Sequence, residues 1–576
     1  MSSMGGLYIG VTGLNVSQAA LNITSHNLAN VDTKGFVRQQ AVLTDFNYIK
    51  WGESYISSMQ QGLGANFAAV KQVRDSFLDQ AYRRESGRQA FYESQTLAVQ
   101  EVENLFGELE GVAFQDSLDE FWISLQELCK EPDNIVARAS LIETAVTFME
   151  RSENIYRQLA SYQVNLNTQI INQVNRINEI GEEIKTLNLK IRQYESTGIE
   201  KANDLRDQRN LLLDELGKMA DITYKENMAG MVTVNLEGVS FITEDTVFKM
   251  GTVRMDANSE MLKPVWIAHG NADVFNLDKA PSSQNDNDIG SLKGLLIARG
   301  HKKANYWDVP DRSRYETEEQ YKEEVKTYND KISPSVIMTV QAQFDQLIHG
   351  IVTTINDILS PNKEVTLADG TKIMILDEEK APIGMDPDRT MGEGLFDRKS
   401  MDRYSDYTEI EIINDEGDYE YISARIYQKE DRADNYSLFT LGEIEVNRRI
   451  LQNYSLIPLS SNDGTGEYDI ETAKKLMTAW QEPFSTLSPN TLTKNNFNDY
   501  YISFISEIAN RGERLYTISD NQASMVTSID NQRLQVTGVS SDEELTNLIK
   551  YQHAYNAASR YVNVVSEMLE HIIERL

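Results

Sequence analysis

Residues 541–576 read SDEELTNLIKYQHAYNAASRYVNVVSEMLEHIIERL, and their pattern decides the architecture. Leu548, Tyr551, Tyr555, Ala558, Val562, Val565, Leu569, Ile572 and Leu576 recur in steps of three and four, the signature of one helix with one apolar stripe. Asp542, Glu543 and Glu544 stand at its front, where negative charge suits the positive end of the helix dipole. At the opposite end of the chain Leu7, Leu14, Leu21 and Leu28 recur every seven residues with Val11 between them, the spacing of a coiled-coil seam. Gln18 and Ser25 interrupt that seam. Two terminal helices of similar stripe and complementary length are each other's natural partners. The chain is therefore expected to leave one helical pair and return to it.

The inserted material changes period as it goes. A further heptad run covers Leu166, Ile170, Ile177, Ile180, Ile184, Leu187, Ile191 and Tyr194, with Gln173 as its polar slot, in a helical region from about 134 to 198. Val336 to Ile358 repeats the amphipathic helical pattern, and Pro361 closes it. Between these helices the period falls to two. Met231–Leu236 and Val239–Thr243, split by Glu237 and Gly238, predict a hairpin, and 373–376, 410–413 and 419–427 predict further strands. Residues 281–288 read as a solvated acidic loop, and 308–333 as exposed helix and loop. The expected fold is a nested α+β multidomain one. Residues 1–50 with 538–576 form a terminal coiled-coil unit. Residues 51–218 with 334–360 and 471–537 form a helical bundle, 219–333 a β-rich domain, and 361–470 an acidic mixed α/β or β domain.

Composition narrows the function. The 576 residues suggest about four domains at roughly 150 residues each. A net charge of −33 argues against nucleic acid and against an anionic membrane surface. That charge is uneven: residues 1–50 carry a net +1 and residues 361–470 a net −13. One cysteine, Cys129, excludes an internal disulfide and a cysteine zinc cage. The N-terminal residues lack the basic and apolar regions of a cleaved secretory signal. No phosphate loop, nucleophile elbow or zinc-binding histidine pair occurs. Asp286 and Asp288 lack the glutamate that a calcium loop needs, since position 297 is Ile297. No catalytic residue, metal ligand or cofactor site is expected.

Specific motifs then carry a resemblance. Ser25–Phe36, with Asn27, Asn30, Thr33, Gly35 and Phe36, resembles the N-terminal signature of the bacterial flagellar rod, hook and hook-associated proteins. Gly62–Gly64 with Val70, Val73, Arg74, Asp75, Phe77 and Leu78 is similar to the second block of that family. Asn203–Asn210, with Asp204, Asp207, Gln208 and Arg209, resembles a stretch of its hook-associated branch. So does Gly290–Leu296, in which Lys293 replaces a common glycine. Thr537–Glu544 followed by 547–555, with Gln552, resembles the C-terminal block.

The resemblance implies a structural subunit of the hook–filament junction, secreted without a cleaved signal and placed outside the cell. Its implied partners are the hook protein, the second junction protein, copies of itself in a ring-like or helical layer, and an export chaperone at the C-terminal helix. The alternatives are another axial component, such as the hook protein or the second junction protein, or an added surface-binding role in 361–470. A two-helix pair cannot cover both its stripes, so the termini are expected to be mobile in the monomer and to order on assembly.

Overall fold

The computed structural model describes residues 2–54, 57–107, 114–197, 201–256, 259–277, 279, 281–413, 418–460 and 468–575. Twelve α-helices organise this described part: α1 (Ser2–Ala29), α2 (Ser76–Phe106), α3 (Phe114–Lys130), α4 (Ile135–Glu195), α5 (Asn203–Met219), α6 (Ser291–Arg299), α7 (Glu318–Thr327), α8 (Val336–Leu359), α9 (Arg448–Gln452), α10 (Ile470–Gln481), α11 (Phe497–Thr537) and α12 (Ser541–Arg575). None is long and apolar enough to cross a membrane.

The layers are nested. α1 and α12 run antiparallel as the outer pair, and α2 lies along α11 behind them. α4 is one continuous helix of 61 residues. It starts where Asn134 caps the backbone N–H groups of Val136 and Ala137. Its buried stripe runs through Leu166, Ile170, Val174, Ile177, Ile180, Ile184, Leu187 and Ile191. The stripe departs from the heptad reading at two places. Val174 fills the slot assigned to Gln173, whose amide oxygen instead accepts from Ser291 Oγ at 3.1 Å. Tyr194 is exposed, because Glu195 takes the covered position after Ile191 and is held there by Arg206. α8 lies at the centre, packing against α6, α10 and α11.

Small antiparallel sheets sit on this body. Strands Ile222–Glu226, Val232–Leu236 and Val239–Ile242 form one, and the predicted hairpin turn has Glu237 and Gly238 at φ 49° and 78°, the left-handed pair of a tight two-residue turn. Met250–Arg254, Leu262–Trp266 and Ala272–Asp273 form a second sheet. The acidic segment builds a four-stranded sheet in the order 372–376, 362–367, 408–413, 419–424. Residues 414–417, between the last two strands, lie outside the described residues.

Two loop expectations change. Asp288 is fully buried, not solvated, and accepts from Arg88 Nε at 3.0 Å, Tyr92 Oη at 2.9 Å and Ser283 Oγ at 2.5 Å. The aspartate pairs with an arginine 200 positions upstream, which local polarity gives no sign of. Within 308–333, Tyr328 and Ile332 are buried with Ala304, Val309, Met338 and Ala342 in a small core of their own.

Candidate assembly site where the terminal helices meet the body

The face that α1 turns to α12 is made of small residues. Gly6, Gly10, Gly13, Ser17, Ala20, Thr24 and Asn27 follow each other in steps of three and four along it. A Cβ added at Gly10 would stand 2.5 Å from Val562, and one at Gly13 3.5 Å from Ala558. The two backbones approach this closely because α1 presents almost no side chain there. The leucine heptad is therefore not the seam of this pair. Leu7, Leu14, Leu21 and Leu28 lie roughly a quarter-turn round the helix, half-buried, and Val11 is 41% exposed. On α12 the stripe does face α1: Val565 is buried, and Leu548, Tyr551, Val562 and Leu569 are half-buried. Tyr555 is more open, at the edge of the contact. Ile572 is exposed, since the register set by Gly10 and Val562 carries it past the first helical residue of α1. Leu576 lies outside the described residues.

At the inner end of the pair the motif residues converge. Asn27 is buried. Its Nδ2 donates to Gln39 O at 2.8 Å and to Glu544 Oε2 at 3.2 Å, and its Oδ1 accepts from Gln39 N at 3.0 Å. Arg38 reaches both C-terminal acids, Glu543 at 2.8 Å and Glu544 at 2.8 Å, while its backbone N–H donates to Thr537 O at 2.9 Å. The chain enters this junction through a turn. Asn30 Nδ2 donates to His26 O at 2.9 Å and its Oδ1 accepts from Thr33 Oγ1 at 3.1 Å. Gly35 adopts φ 80°, and a Cβ there would collide with Leu211 at 2.6 Å. Phe36 packs edge-on against His26 at 5.4 Å.

α5 supplies the body's side of the joint. Asp207 accepts from Val37 N at 3.2 Å and Gln72 Nε2 at 2.9 Å, with Arg74 at 3.9 Å. Burial, opposed by those donors, pushes its carboxyl up to about 7. Asp204 stays exposed near His26, at 3.7 Å. Arg209 points the other way, into the body, donating to Asn188 Oδ1 at 3.0 Å and Gly230 O at 2.6 Å. Gln208 is exposed on a groove of about 570 Å³ between α4 and α5. Asp542 and Gln552 are exposed on α12.

The sequence match to the domain described as "Flagellar hook-associated protein FlgK helical domain" spans residues 99–371. Residues 7–36 match "Flagella basal body rod protein", and residues 525–575 match "Flagellar basal body rod FlgEFG protein C-terminal". Flagellar hook-associated protein 1 of Bacillus subtilis is 24% identical over 582 residues, covering 99% of this chain and 98% of the relative. Along its whole length the chain is similar to flagellar hook-associated protein 1. The Escherichia coli protein of the same name is 22% identical, with 98% of each chain covered. The solved flagellar hook junction protein FlgK from Burkholderia pseudomallei shares the fold, with a TM-score of 0.52 at 12% identity over 80% of this chain and all of that one.

The joint also uses residues that sequence reasoning missed. Arg533 of α11 pairs with Asp214 at 2.6 Å and Asp79 at 3.3 Å, and Arg83 pairs with the same Asp214 at 2.7 Å. Arg74 pairs with Asp79 as well. Nothing local marks those partners, which come from α2, α5 and α11. The small-residue face of α1 did have a visible signal, its spacing of three and four, but the larger leucines beside it carry more hydrophobic weight.

Proposed function

We propose that the chain joins hook to filament as a structural subunit of the bacterial flagellum and assembles through its terminal helix pair. The observation that carries this reading is the apolar surface the pair leaves outward. Tyr8 and Val11 on α1, and Val564, Met568 and Ile573 on α12, are exposed, and only Glu544 and Val565 of α12 are buried among its described residues. Docking of neighbouring copies takes such surface out of water at about 25 cal/mol per Å², which offsets the cost of ordering the helices. Head-to-tail contacts of this kind repeat into a ring or helical layer.

The residues that line the pair then divide the work. The α12 stripe holds α1. The leucines of α1, set to one side, meet the next copy. Asn27, Arg38, Asp207 and Glu544 fix the angle between the pair and the body. The assembly unit comprises 1–50 with 538–576, the bundle 51–218 with 334–360 and 471–537, and the attached units 219–333 and 361–470. The acidic last unit faces the medium, where like charge keeps copies apart until they dock. The hook protein lies on one side of the layer and the second junction protein on the other. An export chaperone covers the C-terminal helix before flagellar export carries the chain outside. End-to-end similarity to relatives named Flagellar hook-associated protein 1 supports this place over that of another axial component.

The test is to add the purified chain to isolated hooks and image both ends. Caps confined to the distal ends are expected. Bare distal ends, under conditions where an established junction protein caps them, overturn the proposal.

A further inference from the structure

Lys293 stands in the first turn of α6, away from the assembly site. Its side chain is 4% exposed and opens into a cavity of about 890 Å³ bounded by strand Leu262–Trp266, the segment 273–277 and the turn at 237–239. Among the described residues none gives its ammonium a hydrogen bond or an ion pair; Glu237, Asp288 and Asp221 act on it only from further off. Two effects make such a position costly. A buried charge without a partner loses its hydration. A cation in the first turn also meets the partial positive charge of the helix N-terminus, whose cap, Gly290, offers no side chain. Burial accordingly pushes the ammonium below the usual lysine range.

The neighbouring charges are otherwise engaged. Glu237 accepts the Asp221 backbone N–H at 3.1 Å, and burial pushes its carboxyl up to about 7. Asp288 is held by Arg88, Tyr92 and Ser283. Lys263 is paired with Asp273 at 2.6 Å. Among the described residues that leaves Lys293 as the one buried unpaired cation of the lining, beside an apolar wall of Val239, Val274, Phe275 and Leu296; Lys279, also on the lining, is exposed and keeps its hydration.

We propose that this cavity binds a small organic monocarboxylate, its carboxylate on the Lys293 ammonium at the head of α6 and its apolar body against Val239, Val274, Phe275 and Leu296. A single negative charge fits, because the cavity wall offers one buried ammonium to match it. The site lies outside the terminal helices and does not depend on the junction role.

Isothermal titration calorimetry of the full chain with sodium butyrate and sodium benzoate tests the proposal, with inorganic phosphate as the dianionic comparison. Saturable one-site binding of at least one carboxylate is expected, weakened tenfold or more by Lys293→Met. Glu237→Gln removes a competing negative charge and is expected to tighten binding severalfold, which keeps the test open if Lys293→Met does not fold. Lack of saturable carboxylate binding by the unaltered chain overturns the proposal. So does undiminished binding by a folded Lys293→Met chain, or equal binding of phosphate.

Discussion

Asn27 holds three buried groups at once: both backbone groups of Gln39 and the carboxylate of Glu544. Asn27→Ala leaves all three without it in a dry site, a loss of about 2–3 kcal/mol. Amide exchange across α1 and α12 should then speed up roughly thirtyfold or more while α4 is unchanged; equal exchange in the two chains counts against the joint. Glu430 tests a different contact, that of the acidic segment with α8. It accepts from Tyr306 Oη and from Phe439 N at 2.7 Å each, and lies 3.3 Å from His349 Nε2. Burial opposes its ionised form, but His349, Tyr306 and the Phe439 amide outweigh burial and hold the carboxyl down at about 2. A depressed carboxyl contributes stability that is complete above the ordinary glutamate range and is lost as pH falls toward about 2. Glu430→Gln should cost about 3 kcal/mol at pH 7 and flatten the acid limb of the denaturation midpoint between about pH 4.5 and 2. An acid limb identical to that of the unaltered chain would show that the pair does not hold the segment.

At the scale of elements, the α1–α12 contact is set by what α1 lacks. Gly10→Val places a side chain into Val562 and should prise the pair apart. Limited proteolysis is expected to release the terminal helices from that variant several times faster, with the body resistant; an unchanged cleavage rate would show that the close approach is not what holds the pair. The leucine heptad was legible and misassigned for one reason. Periodicity locates an apolar stripe but not its partner, and the stripe of α1 lies a quarter-turn from the small residues that meet α12. α4 was read closely in its start near 134 and in most of its stripe, because a helix of that length averages over local error. The polar joint was readable only in part. Motif residues such as Asn27, Asp207 and Glu544 could be picked out, but Arg533, Asp79 and Asp214 come from three helices that meet only on folding.

At the scale of the whole molecule, one continuous core links the bundle to both attached regions. Phe396 and Phe439, from the acidic segment, are buried in the same cluster as Phe121 and Phe148 of α3 and α4. Phe396 lies 6.1 Å from the Phe121 ring. Among its described residues the hairpin 408–424 adds only Ala424 to the buried set. Replacing 408–424 by a short Gly-Ser loop should leave the thermal midpoint within a few degrees, whereas Phe396→Ala should cost about 3–5 kcal/mol. A similar loss from both changes would mean that the sheet, not the aromatic contact, supports the segment.

The sequence by itself determined the helical ends, the long central helix, the β-rich insertions and the motifs that carry the resemblance to flagellar hook-associated proteins. Those features are local, since periods, caps and turns are written within a few residues of each other. The tertiary structure decided which face of α1 meets α12, which acids are buried, and that Lys293 opens unpaired into a cavity. Each of those depends on atoms far apart in the chain, where close approach and loss of water decide between side chains that look equivalent in a linear pattern.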